Sequence, residues 1–470
     1  MKKISLLMVA ILMLSTLAIF ASCTDKVVYM TPPTINGINL SEFTIVYDEQ
    51  GLDYNKRAAE YIKNTAHTRY GVDLKIVDDD TATNAHEIVV GETSRAISVA
   101  LNEETSGLEF SILAKGGSVA LEGDYFVIAA AAYYFMETYA LTDAQASSVP
   151  EKSEIHTPIT KEAKNFIMLI GDGMGVYQTL LFDYVENNVE YGDGEDLFYG
   201  YMLPYTGYSR TNSLEAPKYI TDSAAGGTAL SCGYKTFNGY VGLNKKREPI
   251  KNMTELAHEL GKSAAVMSTE TETGATPASF VVHVGNRNSD SEIIKETFAA
   301  KEKYGTIVEC GFSTNFTLNN LTILENDVVK VLDQVSANEN GFFLMYEEAY
   351  IDKHCHKNEI DKVFNAVIRF NQVIARFMEF AFYNPETAIL ITADHETGEL
   401  LPDETGNLAF NSEHHSGADV CIFAYGYGME LFNGLNIENI QIAHTIAALM
   451  GEENFGDQTE YQSLTKMDNE

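Results

Sequence analysis

Six of the eleven histidines of this 470-residue chain, His283, His354, His356, His395, His414 and His415, are interleaved with aspartates. A lone histidine of this kind is usually structural. The combination Asp352-x3-His356, Asp394-His395 and His415 is harder to read that way, because mixed carboxylate and imidazole donors suit zinc. Asp172 lies in Gly171-Asp172-Gly173-Met174-Gly175. That run has the outline of a dinucleotide fingerprint, but an aspartate between the glycines would repel a pyrophosphate. At a strand end, with glycines permitting close approach, it serves a cation better. Ser223 lies among small residues in Thr221-Asp222-Ser223-Ala224-Ala225-Gly226-Gly227-Thr228. Small neighbours admit a bulky tetrahedral group, and a following helix offers unpaired N–H groups to an anion. Taken alone, the segment reads as an ordinary helix cap by Asp222 or Ser223.

These residues need a frame, and the sequence supplies one. From Asn165 onward, apolar strand-like runs alternate with longer helical segments, the pattern of an open α/β sheet. Phe166–Ile170, Ala264–Met267, Phe342–Met345 and Ala388–Thr392 are each followed by potential ligands: Asp172, Thr276, Glu347, and Asp394 with His395. Sheets of this kind bind beyond the carboxyl ends of their strands. Four strands delivering oxygen and nitrogen donors to one edge predict a metal site.

The preceding chain reads differently. Residues 34–145 look like a small α/β domain, with a helix at Tyr54–Tyr70, short strands at Asp73–Val77 and Glu87–Val90, and a hairpin around Lys115–Ser118. Asp124–Ala140 reads as a second helix, and residues 146–164, with Pro150 and Pro158, as a linker to a catalytic domain at 165–470. Residues 1–22 read as an export signal: Lys2 and Lys3, an apolar stretch Ile4–Phe20, then Ala21-Ser22-Cys23. That ending is similar to a bacterial lipoprotein cleavage site, with Cys23 lipidated. It places the protein outside the cytoplasm, at the cell surface or in the periplasm, held to the membrane only by the lipid; an uncleaved membrane anchor or a simple signal peptide is the alternative. Cys232, Cys310, Cys355 and Cys421 form no CxxC pair, and one or two disulfides are open to them after export.

A formal charge of −35 excludes a nucleic-acid-binding surface. It also repels phosphate esters at long range, so a phosphate site here must carry concentrated positive charge of its own. Bound cations would supply it.

Together the motifs resemble the alkaline phosphatase family, over about residues 162–455. Asn165–Gly175, Asp222–Ala225 with Gly233–Gly239, Ala275–Ala278 with His283-x3-Arg287, Glu347–His356, Thr392–His395 and His415–Gly417 follow the family's order. The resemblance implies an α/β fold with a mixed, mostly parallel central sheet flanked by helices. It implies two Zn2+ and one Mg2+. Asp352, His356 and His415 match the ligands of one zinc. Asp172, Asp394 and His395 match those of the second, beside the nucleophile Ser223. Asp172, Thr276 and Glu347 match a magnesium site. Arg287 matches the arginine that grips the phosphoryl oxygens, oriented by Asp222, and Lys353 matches a position near the phosphate and the third cation.

The resemblance further implies hydrolysis of phosphate monoesters through a phosphoserine, with metals lowering the serine pKa and stabilising attacking and leaving oxygens. It also raises the prospect of a homodimer. A phosphodiesterase on the same fold and a non-catalytic surface binding protein are the alternatives. Two departures stand out. Gly274 occupies a position where relatives carry an aspartate or histidine beside the third cation, which predicts a looser magnesium site. Only 19 residues separate His395 from His415, so the cleft should be more open. Cys355, His354, His283 and His414 are expected to be structural or peripheral, and Asp183–Asp196 a solvated loop.

Overall fold

Period-two and helical patterning set out the first module. A computed structural model describes residues 29–51, 53–101, 105–140, 146–184, 197–312 and 318–465. Cys23 and residues 185–196 of the acidic stretch lie outside the described residues. Six strands, β1 (Thr44–Tyr47), β2 (Lys75–Asp78), β3 (Glu87–Val90), β4 (Phe110–Lys115), β5 (Ser118–Gly123) and β6 (Glu154–His156), form one sheet in the order β2-β1-β3-β5-β4-β6. β4 and β5 are the predicted hairpin, paired antiparallel from Phe110↔Gly123 to Lys115↔Ser118. Helices α1 (Asp53–Tyr70) and α2 (Ile128–Thr138) cover the sheet.

The stretch read as a linker is largely built into this module. Ala146–Ser147 pairs with Thr34–Ile35, and β6 pairs with β4. Pro150 and Pro158 flank a three-residue strand on the sheet edge, where proline costs no ladder bond. The ring of His156 stacks on Tyr134 at 4.5 Å. Only residues 157–164 cross to the larger sheet without helix or strand.

That larger sheet holds β7 (Asn165–Gly171), β8 (Tyr205–Arg210), β9 (Ser263–Ser268), β10 (Ile307–Cys310), β11 (Phe342–Glu348), β12 (Thr387–Thr392), β13 (Val420–Tyr425) and β14 (Asn436–Glu438). Their order is β10-β9-β11-β7-β12-β13-β8-β14. The five strands from β10 to β12 run parallel, and β13 is antiparallel to both neighbours. β7, β11 and β12 are buried along their whole length, as parallel strands covered on both faces must be. Alternation sends Ile167 and Leu169 into one core and Phe166, Met168 and Ile170 into the other. The first core is walled by a helix, Ile360–Tyr383, and the second by the helices at Ser223–Cys232 and Ile440–Leu449.

Register then fixes the site. Ile170 lies opposite Glu347 on one side and Thr392 on the other, and Ser268 lies opposite Glu347. The carboxyl ends of β7, β9, β11 and β12 therefore reach the same edge.

The small module shares the first core. Tyr61 stacks on Tyr383 at 4.0 Å, Phe126 contacts Tyr199 and Phe382, and Arg57 Nε donates to Glu379 at 2.9 Å. Cys232, Cys310, Cys355 and Cys421 are all free and three of them are buried, so the disulfides open to them are not formed among the described residues. No helix of the described residues is long and apolar enough to cross a membrane. Truncating Phe126, which is fully buried at the boundary, should cost about 3–5 kcal/mol. Calorimetry of Phe126→Ala should show one transition moved downward. Two separated transitions would mean that the module folds without its partner.

Candidate metal centre and nucleophile

Four of the predicted donors arrive from a strand end or the residues just beyond it. Asp172 follows β7, Glu347 is the penultimate residue of β11, and Asp394 and His395 follow β12. Asp352 lies on the short helix Tyr350–Cys355 after β11, with His356 as its C-cap. His415 is brought in by a two-residue ladder in which Thr397 faces His415 and Glu396 faces Ser416. The short intervening hairpin, Leu400–Pro402 with Leu408–Phe410, accounts for the chain between them. Gly173, at φ +71°, makes the turn after β7; a Cβ there would lie 2.9 Å from Asp352 Cα and from Thr397 Oγ1.

Hydrogen bonds fix which imidazole nitrogens face inward. His356 Nδ1 lies 2.6 Å from the Glu413 carbonyl and His415 Nδ1 lies 2.9 Å from the Thr221 carbonyl. A carbonyl only accepts, so both Nδ1 atoms carry the proton, and in the neutral rings both Nε2 atoms are bare. These Nε2 atoms stand 3.1 Å apart, and lie 3.3 Å and 3.6 Å from Asp352 Oδ1. The point equidistant from the three is roughly 2 Å from each, the length of a metal–imidazole bond.

His395 is set by a relay. Thr397 Oγ1 gives its proton to Asp352 Oδ1 at 2.6 Å and so accepts from His395 Nδ1 at 3.2 Å. His395 Nε2 is then bare in the neutral ring. It faces Ser223 Oγ at 3.3 Å, Asp394 Oδ2 at 3.3 Å and Asp172 Oδ1 at 3.5 Å. Asp172, Asp352 and His395 also offer donor atoms within 4.8 Å of one another, so Asp352 stands between the two groups.

Orphaned atoms complete the picture. Asp172 Oδ1, Asp394 Oδ2, Thr276 Oγ1 and Glu347 Oε1 are buried with no hydrogen-bond partner among the described residues. Leaving such atoms unpaired is costly unless something else binds them. The partner that fits all of them, together with three bare imidazole nitrogens, is a cation.

The titration of these groups reports the same crowding. Burial, then the charges of Asp394 and Asp352, raises Asp172 well above the carboxylate range. Burial and Asp352 push Asp394 up to about 7; burial and Glu270 push Glu347 up to about 8. The hydrogen bond to Asp352 lifts His356 to about 8. Burial lowers His395 and His415. Against the cost of its own burial, Asp352 is held well below its usual value by the His356 hydrogen bond and the nearby imidazoles.

Ser223 is the first residue of the helix Ser223–Cys232 and is 4% exposed. Asp222 caps that helix: its Oδ1 accepts from Ala225 N at 2.9 Å. Its Oδ2 accepts from Gly239 N at 3.0 Å and from Arg287 Nη1 at 3.1 Å. Gly227 lets this helix close on the one at Ala275–Ser279, since a Cβ would lie 2.5 Å from Ser279 Oγ and 3.2 Å from Thr276 Cα. Lys353 Nζ, expected near the phosphate, donates to Glu270 Oε1 and lies over the Tyr350 ring.

The remaining neighbours are structural. Cys355 is buried and lies 3.7 Å from Gln178 Nε2. His354 pairs with Glu359 at 3.0 Å, and His283 bridges the Gly242 carbonyl and Glu255. His414 is exposed, leaving His415 as the donor. Glu348 is neutralised by Arg369, and Glu396 binds Gln178 and Ser416.

Thr397, Ser268 and Glu270 are site residues that motif and spacing do not single out. Thr397 ends the two-residue strand Glu396–Thr397 just after His395, and its hydroxyl reaches back to that ring. Ser268 ends β9 and donates to Glu347 Oε2, so the strand-end rule that found the ligands applied to it too.

Carboxylates and imidazoles gathered around a serine at a sheet edge make this a metal-binding hydrolase. The alkaline phosphatase family model matches residues 163–319 and 313–405, and the chain belongs to that family. It is a phosphatase. Alkaline phosphatase 4 of Bacillus subtilis is 26% identical over 313 residues, 56% of this chain and 68% of the relative. Alkaline phosphatase of Escherichia coli is 24% identical, covering 74% of this chain and 93% of the relative. The structure of alkaline phosphatase from the Antarctic bacterium TAB5 superposes with a TM-score of 0.53 at 24% identity, over 62% of this chain and 98% of that one. A variant of that enzyme, aligned equally well, holds Mg in its M3 site.

The charge crowding has a measurable consequence. Without metal, Asp394 and Glu347 hold protons far more tightly folded than unfolded, where carboxylates titrate near ~4, and His356 exceeds its ordinary ~6.5. Their stabilisation is lost as pH rises through the folded values of about 7 to about 8. His395 and His415, whose values are lowered, oppose this only below about 6.5. From about pH 6.5 to 8, the melting temperature of chelated protein should therefore fall as pH rises. Added zinc should remove that slope; a flat profile in chelator would contradict the crowding.

Proposed function

We propose that this protein hydrolyses phosphate monoesters to alcohol and inorganic phosphate through a phosphoserine on Ser223. It would hold two zinc ions, one by Asp352, His356 and His415 and one by Asp172, Asp394 and His395. A magnesium ion would be held by Asp172, Thr276 and Glu347. When bound, the cations supply Lewis acidity: they lower the pKa of the serine hydroxyl and neutralise charge on the oxygens that attack and leave.

Ser223 Oγ attacks phosphorus, a Ser–O–P bond forms, and the bond to the ester oxygen breaks so that the alcohol departs. Water then cleaves the phosphoserine, releasing phosphate and restoring the hydroxyl. Arg287, held by Asp222, presents a fork to two non-bridging phosphoryl oxygens, and a diester has only two to share. The N–H groups at the start of the Ser223–Cys232 helix face the same anion. The observation carrying this reading is the serine hydroxyl 3.3 Å from a bare His395 Nε2, beside unpaired oxygens of Asp172 and Asp394. The lysine-led apolar start ending at Cys23 supports action outside the cytoplasm on a lipid anchor.

Zinc-loaded protein should release a chromogenic alcohol from its phosphate monoester at alkaline pH and lose that activity to a chelator. Ser223→Ala should abolish both turnover and the phosphopeptide that acid quenching traps for mass spectrometry. Turnover surviving in this variant would sink the mechanism. Arg287→Ala should lower monoester kcat/KM by roughly 10²–10³-fold while barely changing any residual diester cleavage. An equal loss on both would favour a diesterase.

A further inference from the structure

Gly274 is the N-cap of the short Ala275–Ser279 helix, two residues before Thr276. The sequence there predicts a missing side chain beside the third cation. The space is not empty. A Cβ on Gly274 would lie 2.5 Å from Glu270 Oε2, 2.7 Å from its Cγ and 2.8 Å from its Cδ. Glu270 reaches that volume from four residues earlier in the same connection, between β9 and this helix.

Its carboxylate is held by one ammonium, and its backbone by two hydrogen bonds. Oε1 accepts from Lys353 Nζ, whose ammonium also lies 4.9 Å from the centre of the Tyr350 ring. Glu270 N donates to Ser268 Oγ at 2.9 Å, and the Glu270 carbonyl accepts from Gly311 N at 2.6 Å. The same Ser268 hydroxyl donates to Glu347 Oε2, which leaves Glu347 Oε1 unpaired. One turn thus fixes both Glu270 and a proposed cation ligand.

We propose that Glu270 is the positioning carboxylate of the third cation site, supplying from the β9 turn the negative charge that position 274 lacks. The inference rests on the reading of Asp172, Thr276 and Glu347 as ligands of that cation. It replaces a loosened site by a rewired one.

Apo protein reloaded with zinc and titrated with magnesium chloride by calorimetry gives the test, with elemental analysis of the dialysed product. Wild type should bind one magnesium. Glu270→Gln should weaken that binding by roughly 10–100-fold, the usual effect of losing an outer carboxylate, with zinc content unchanged. Gly274→Asp alone should not tighten binding, because its Cβ meets Glu270. In an E270A/G274D double variant, the new aspartate should restore most of the affinity that E270A loses. Melting of the chelated variants within a few degrees of wild type would exclude misfolding as the cause. Magnesium affinity within twofold of wild type in Glu270→Gln, or equal gains from Gly274→Asp in both backgrounds, overturns the proposal alone. A wild type that binds no magnesium overturns the third site along with it.

Discussion

Repulsion among buried lone pairs governs this structure. Asp172, Asp394 and Glu347 are essentially excluded from water, and their unpaired oxygens are directed into the space that the bare nitrogens of His356, His395 and His415 also face. Nothing in the surrounding apolar layers can relieve that concentration of donors. Without metal, protons do it in part: Asp394 and Glu347 titrate near neutrality, and Asp352 raises His356 to about 8, holding a proton on the Nε2 that is bare only in the neutral ring. With metal, the same atoms become ligands and the protons leave. A chain of net charge −35 solves a second problem in this way. Its surface repels phosphate, but cations held in one cleft would make a local positive field that the surface cannot provide.

The frame that tolerates this crowding is the parallel sheet. Its central strands are saturated with backbone hydrogen bonds and apolar on both faces, so they hold the strand ends rigid against the charges they carry. Register does the alignment. With Ile170 opposite both Glu347 and Thr392, no separate loop geometry is needed to bring Asp172, Glu347 and Asp394 to one edge. Thr397 shows how little more is required. One hydroxyl, giving its proton to Asp352 and accepting that of His395, ties the two donor groups together.

What the sequence made legible follows from this division. The strands Phe166–Ile170, Ala264–Met267, Phe342–Met345 and Ala388–Thr392 were readable because a short apolar run that stops at a polar donor is the pattern of a buried strand delivering a side chain to the sheet edge. The proposed ligands stood out because their types and order are chemically unusual. Glu270 was not, because its place depends on a side chain folding back over its own loop into the space at Gly274, and no periodicity encodes that. Lys353 was located but not partnered, for the same reason. The strand at Glu154–His156 was hidden by its flanking prolines, which are compatible with an edge strand and equally with a linker. Free Cys232, Cys310, Cys355 and Cys421 were beyond reach, since pairing depends on distances that spacing does not give.

Asp222 shows why structural and chemical readings of one residue need not compete. As a cap, its Oδ1 satisfies an N–H at the start of the Ser223–Cys232 helix. That bond fixes the first turn and with it the direction of the Ser223 side chain. Its Oδ2 is thereby left pointing away from the helix, where Gly239 N and Arg287 Nη1 find it. The cap geometry therefore sets where the guanidinium stands relative to the serine. Replacing Asp222 by asparagine would keep one acceptor for the cap and present an amide to Arg287, removing the charge that holds it. Helix stability and the placing of Arg287 separate only at the level of the two oxygens of one carboxylate.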